Sequence, residues 1–229
     1  MKLPPSAMIL SKEEAKHIYR RSARFYDLAL WVYRLFGTGR HRRQAVHALH
    51  LQPGDTVVDM GCGTGLNFRL LQKAVGPEGR IVGVDLTDAM PDRARHRIQK
   101  AGWQNIELVE DDLATYTFPP SMNAALATFA LEMVPEYDAV IRRVAETLPH
   151  GGRLAVYGLK EPERWPDWLI RLGIWLNKPF EVSRNYAALR PWESVRRHMK
   201  EVRHKEFFFG AAYLSVGEAS GISPGNNDE

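Results

Sequence analysis

The chain has little with which to cross-link itself, hold a metal or span a membrane. A single cysteine, Cys62, among 229 residues excludes an internal disulfide and fits a reducing cytoplasm. The eight histidines show no metal-ligand spacing, so no metal site is expected. Residues 28–32 and 124–131 are among the longest apolar runs, and both fall far short of the roughly 20 residues a membrane helix needs. The opening MKLPPSAMIL has no long apolar core and no small-residue cleavage site, which argues against a signal peptide. There are no internal repeats. What remains is a globular composition, 45% hydrophobic and 25% charged, long enough for one domain with an N-terminal extension.

Charge of one sign is scarce at the start of the chain. Residues 1–50 carry ten Lys or Arg against Glu13, Glu14 and Asp27, whereas the rest holds 21 basic and 24 acidic residues. A basic arm on a slightly acidic body suits an anionic membrane surface or a solvated helix face. No RNA-binding motif accompanies it, so nucleic acid is not the expected partner.

The most informative stretch is Val57-Val58-Asp59-Met60-Gly61-Cys62-Gly63-Thr64-Gly65-Leu66-Asn67. The two valines suit a buried strand, and residues 66–74 have helical apolar spacing. Glycines 61, 63 and 65 therefore lie between a strand and a helix N-terminus, where open α/β sheets bind nucleotides. A dinucleotide site uses G-x-G-x-x-G, but here the third glycine arrives one residue early. That spacing speaks against a nicotinamide-dependent oxidoreductase. Cys62 reads as a small residue filling its slot rather than as a reactive thiol.

Around this stretch the elements alternate. Strands are expected at 56–59, 81–85, 106–109, 124–128 and 153–158, with helices at 40–49, 66–74, 88–101 and 135–148. Upstream, Ser11 and Glu14 form a capping box that opens a helix carrying Tyr19, Tyr26 and Tyr33 on one face, and Gly37-Thr38-Gly39 breaks that pattern. Strands at 202–209 and 211–216, separated only by Gly210, must be antiparallel. The fold expected is α/β: a Rossmann-like seven-stranded sheet, mostly parallel, with a C-terminal antiparallel hairpin and helices on both faces. Its expected organisation is an arm or lid over residues 1–50, a nucleotide-binding domain over 51–217 and a disordered tail over 218–229.

D-x-G-x-G-x-G with this layout resembles the class I S-adenosylmethionine (SAM) methyltransferases over roughly residues 15–217. The resemblance implies SAM as cofactor, with the loop of Asp59, Gly61, Cys62, Gly63, Gly65 and Asn67 around its methionine part. Asp85, at the end of the second strand and followed by Leu86, offers two oxygens to the ribose diol. Asp112 and Leu113 match the acidic-apolar pair that binds and covers adenine, and Thr128 ends the strand that flanks the sulfonium. The acidic residue usual before the fourth strand is replaced by Met122-Asn123-Ala124.

Tyr19-x-x-x-Ala23-x-x-Tyr26-Asp27 resembles the segment preceding the domain in two groups, the ubiquinone and menaquinone C-methyltransferases and the bacterial phosphatidylethanolamine N-methyltransferases. This implies a lid, with Tyr19 near the cofactor and Tyr19 and Tyr26 as catalytic candidates. Tyr26 and Tyr186 are expected at the acceptor pocket. Both groups act on acceptors that live in membranes, which fits a basic aromatic arm on the inner membrane face. Residues 165–176, rich in Trp and Leu, suit a second interfacial surface or simple packing. The activity expected is methyl transfer to an amphiphilic acceptor, first a phospholipid amine headgroup, then a quinone precursor or a soluble metabolite. The reading from another class is a membrane-binding module that keeps the fold without turnover.

Overall fold

The computed structural model describes residues 38–86, 89–160, 162, 165–166 and 189–221. Tyr19, Tyr26, Tyr186 and nearly all of the 165–176 stretch lie outside the described residues. In chain order the elements are α1 (Thr38–Ala48), β1 (Thr56–Met60), α2 (Phe68–Val75), β2 (Arg80–Asp85), α3 (Ala89–Ala101), β3 (Ile106–Glu110) and β4 (Ala124–Thr128). A 3-10 turn at Leu131–Met133 leads to α4 (Tyr137–Thr147), β5 (Arg153–Leu159), α5 (Pro191–His198) and β6 (Lys200–Phe207). A second 3-10 turn, Phe208–Gly210, joins β6 to β7 (Ala212–Glu218).

The strands form one sheet in the order β3-β2-β1-β4-β5-β7-β6. Strands β1 to β5 are parallel where they pair, and β7 is antiparallel to both β5 and β6. Every residue of β1 is buried, because β2 flanks one side and β4 the other while helices cover both faces. One face packs Phe68 and Leu71 of α2 with Ala45 and Leu49 of the α1 region. The other packs Val140, Ile141 and Val144 of α4 with Val195 of α5. Arg153 ties the base together, since its guanidinium bonds Glu218 and the Ala48 carbonyl at the end of α1.

Several boundaries differ from expectation for local reasons. Helix α1 begins at Thr38, inside the glycine stretch expected to break the chain. A helical glycine costs only about 1 kcal/mol, and burial of Ala45, Val46, Ala48 and Leu49 offsets it. Helix α2 begins at Phe68 rather than residue 66, with no cap bond from the side chain of Asn67, which is used elsewhere. Strand β6 runs over 200–207 instead of 202–209, and its last two expected residues turn out of the sheet. Strand β7 extends to Glu218, the first residue of the expected tail, because Arg153 bonds its carboxylate. Helix α5 was not foreseen; it opens on Pro191 and closes on Arg196, Arg197 and His198, as the helix dipole favours.

Candidate cofactor site

From β1 the chain winds outward through β2 and β3, then crosses back to β4 and β5. The order therefore reverses between β1 and β4, which opens a crevice at their C-terminal ends. The glycine loop occupies that position. Gly61, Gly63 and Gly65 have φ of 64°, 53° and 72°, a region where side chains are strained. At Gly61 an added Cβ would overlap the Cβ of Ala130, so the loop rests directly on the segment after β4. At Gly63 an added Cβ would meet nothing within 4 Å. That outward face is open to a ligand.

Cys62 turns the opposite way, its sulfur 3.0 Å from where a Cβ would stand on Gly83. Burial pushes its thiol well above the ordinary range, so it is a packed small residue rather than a nucleophile. Asp85 ends β2, and its Oδ2 accepts the Gly63 N–H at 2.7 Å. Leu86 follows it, half-buried. Beyond β3 the Asp112 carboxylate accepts the Ala114 N–H at 2.9 Å. Arg143 on α4 fixes this loop by donating to the carbonyls of Leu113 and Ala114 at 2.6 and 2.8 Å. Leu113 itself is buried in the cluster that contains Val84 and Tyr116.

Behind the loop lies a buried polar network. The Asn67 side-chain amide donates to both oxygens of Asp59, at 2.9 and 3.1 Å, and contacts Thr128 Oγ1 at 3.1 Å. Arg42 of α1 donates to Asn67 Oδ1 at 2.8 Å and to Thr128 Oγ1 at 2.6 Å. Three residues expected around the cofactor are thus brought together, and Arg42, which the sequence reading did not single out, joins them. Its only signal there was one cation among many in the arm. Asp59 is fully buried, and burial raises its carboxyl pKa to about 7 against the opposing effects of Asn67 and Arg42.

That shift has a sign that can be tested in the ligand-free protein. A carboxyl raised from 3.8 to about 7 favours folding most below its unfolded pKa, and this contribution is lost as pH rises toward 7. Asp59→Asn removes the titration while leaving every other group in place. The melting temperature of the wild type relative to Asp59→Asn is expected to fall by roughly 2–5 °C per pH unit between pH 5 and 7. Above pH 7.5 or so the difference should level off. A difference independent of pH would show that Asp59 titrates normally.

The wall after β4 is aromatic and held at both ends. Phe129 sits at φ 58°, its N–H bonded to the Tyr157 carbonyl at 2.8 Å and its ring 4.6 Å from that of Tyr157. The Arg42 guanidinium lies over the Phe129 ring at 5.5 Å. His41, the neighbour of Arg42, packs against Phe207 at 4.0 Å and Phe208 at 5.3 Å between centroids. Glu132 is buried with its carboxylate where a side chain on Gly158 would otherwise stand. Tyr213 donates to it at 3.0 Å, and burial raises its pKa to about 7. No sequence signal marked Glu132, since its partners come from β5 and β7.

The donor set suits a nucleoside carrying an amino-acid tail. Asp85 can take a ribose diol, Asp112 stands at the next strand end, and the open backbone at Gly63 admits close approach. The residues present therefore fit SAM.

Comparison with known proteins gives a consistent picture. Residues 57–152 match the family described as a methyltransferase domain. The chain is 28% identical over 163 residues to demethylmenaquinone methyltransferase of Listeria welshimeri, covering 70% of this chain and 69% of that protein. It is 30% identical over 118 residues to arsenite methyltransferase of Halobacterium salinarum, but spans only 30% of that protein. Among solved structures, geranyl diphosphate C-methyltransferase of Streptomyces coelicolor, in complex with S-adenosyl-L-homocysteine, superposes with a TM-score of 0.62 at 15% identity, over 79% of this chain and 77% of that one. A SAM-dependent methyltransferase of Aquifex aeolicus gives 0.58 at 19%, over 77% and 88%.

Proposed function

We propose that this class I SAM-dependent methyltransferase methylates a ring carbon of a lipid-soluble quinol. The observation that carries the reading is the alignment with demethylmenaquinone methyltransferase over 70% of the chain. The aromatic wall supports it: Phe129 follows Thr128 directly, and Tyr157, Phe207 and His41 stand behind it. Phe129, partly buried and backed by rings that belong to the core, suits a planar apolar acceptor better than a hydrated amine. No comparable support attaches to the phospholipid amine expected first, or to a soluble metabolite.

When bound, SAM supplies an electrophilic methyl group. The protein then has to align the acceptor and keep water out. Asp85 would hold the ribose and Asp112 the adenine, while the Asp59–Asn67–Thr128–Arg42 network fixes the end of β4 that faces the reacting centre. Phe129 and its neighbouring rings would exclude water from the acceptor side. Tyr19, Tyr26 and Tyr186 are proposed to complete the pocket, with Tyr19 and Tyr26 positioning the acceptor hydroxyl. No described helix is long and apolar enough to cross a membrane; peripheral access to a bilayer-dissolved acceptor is part of this proposal.

Labelled SAM offered with three acceptors separates the alternatives. These are a demethylated naphthoquinol with a short prenyl tail in detergent, phosphatidylethanolamine vesicles, and the aqueous fraction of a cell extract. Label on the quinol is the expected result. Label on the phospholipid or a soluble product alone would overturn the quinol assignment and leave the methyltransferase intact.

A further inference from the structure

The turn between β6 and β7 has features that the cofactor site does not explain. Phe208 and Phe209 occupy left-handed backbone conformations in succession, with φ of 53° and 54°. Bulky side chains rarely adopt this region, and such strain persists only where the surroundings impose it. Its result is that Phe209 stands 92% exposed, while Phe207, two residues earlier, is buried under the sheet edge.

The location is equally specific. Ala212, at the start of β7, pairs with Leu159 at the end of β5. In the parallel part of the sheet Tyr157 pairs with Thr128. The turn therefore stands on the rim where the strands deliver the candidate site. His41 of α1 lies against Phe208, so the N-terminal end of α1, into which the basic arm leads, is on the same rim.

Two cations lie on the His41 and Phe207 side of this turn. Arg40 and Lys205 are both exposed, and both lie close enough to His41 to lower its pKa, though burial is the larger cause. Lys205 Nζ is also 5.5 Å from the Phe207 ring. Glu206, whose carboxylate lies beside Gly210 in the same turn, is engaged by Lys160. An exposed aromatic beside segments that carry exposed cations is complementary to an anionic bilayer surface, with the ring among the acyl chains and the cations at the headgroups.

We infer that the Phe208–Phe209 turn is an interfacial anchor that seats the rim of the site on an anionic membrane. It rests on the reading of a bilayer-resident acceptor and gives that reading a contact surface. The acceptor could then reach the crevice without passing through water.

The test uses the full chain and vesicles of phosphatidylcholine containing roughly one-third phosphatidylglycerol. Wild type is expected to float with these vesicles, less with pure phosphatidylcholine, and less at high salt. Phe209→Asn should weaken vesicle binding by about tenfold. Because Asn tolerates a left-handed backbone, the same variant should melt about 2–5 °C higher. Its affinity for SAM and its turnover of detergent-dissolved quinol should not change. Lys205→Glu should reduce binding only to the anionic vesicles.

Phe209→Asn binding as tightly as wild type would overturn the anchor and leave the membrane reading to another surface. Wild type binding no vesicle would overturn both the anchor and peripheral access. In that case a self-association lost in Phe209→Asn would assign the turn to a protein contact. The detergent assay reports separately on the quinol reading.

Discussion

Replacing Asp85 with alanine is expected to weaken SAM binding by about 100- to 1,000-fold. A carboxylate that accepts both hydroxyls of a ribose makes two charge-assisted bonds, each contributing about 1.5–3 kcal/mol. Losing most of that is two to three decades in affinity. The loop would suffer as well, since the Gly63 N–H bonds Asp85 Oδ2 at 2.7 Å. Asp85→Asn keeps the shape but exchanges one acceptor for a donor, so it should lie between the two, about tenfold weaker than wild type. Titration calorimetry with SAM and S-adenosylhomocysteine measures all three proteins. Unchanged affinity in Asp85→Ala would remove the ribose assignment and with it the placement of the cofactor across β1 and β2.

Gly61→Ala is expected to lower the melting temperature by roughly 5–15 °C. Two costs combine at this position. An alanine at φ 64° is strained by about 1–3 kcal/mol, and its methyl overlaps the Cβ of Ala130, which adds about 1–3 kcal/mol more. Ala130 cannot retreat freely, because Phe129 is bonded to Tyr157 on one side and Glu132 is held by Tyr213 on the other. The loop must yield instead, so SAM binding should fall at least about tenfold even where the protein remains folded. Gly63→Ala is the informative contrast. Its φ of 53° is also strained, but the space beside it is open. It should therefore melt closer to wild type and still lose SAM affinity, because its methyl enters the open space proposed for the ligand. Equal melting temperatures for wild type and Gly61→Ala would show that the loop does not bear on the post-β4 wall.

The carboxyl ends of the strands were legible because each depends on a few consecutive residues. Buried strands announce themselves as short β-branched runs, and an acidic residue at the end of such a run keeps its place however the sheet is assembled. Asp59 and Asp85 stood out in this way, Asp112 and Thr128 came from the resemblance to class I methyltransferases, and the terminal hairpin followed from the shortness of its connection. Side-chain destinations were harder. Asn67 stood at a helix start, where it would ordinarily cap, yet its amide turns inward to Asp59. Leu113, expected over adenine, is packed in the core cluster with Val84 and Tyr116, a neighbourhood that local spacing did not show.

By itself the sequence determined the fold class, the glycine loop and the strand-end carboxylates, because these are written in local spacing and in the order of elements. Only the tertiary structure decided which side chains meet. Arg42 reaches Thr128 across 86 positions, and Tyr213 reaches Glu132 across 81. Gly158 matters because it leaves room for a carboxylate from the 3-10 turn after β4, and Phe209 because its backbone is held where no aromatic residue goes unaided. Local spacing carries no record of such pairings. Each exists only when the sheet brings distant segments to one rim, and the energy that holds it comes from the packing of the whole domain.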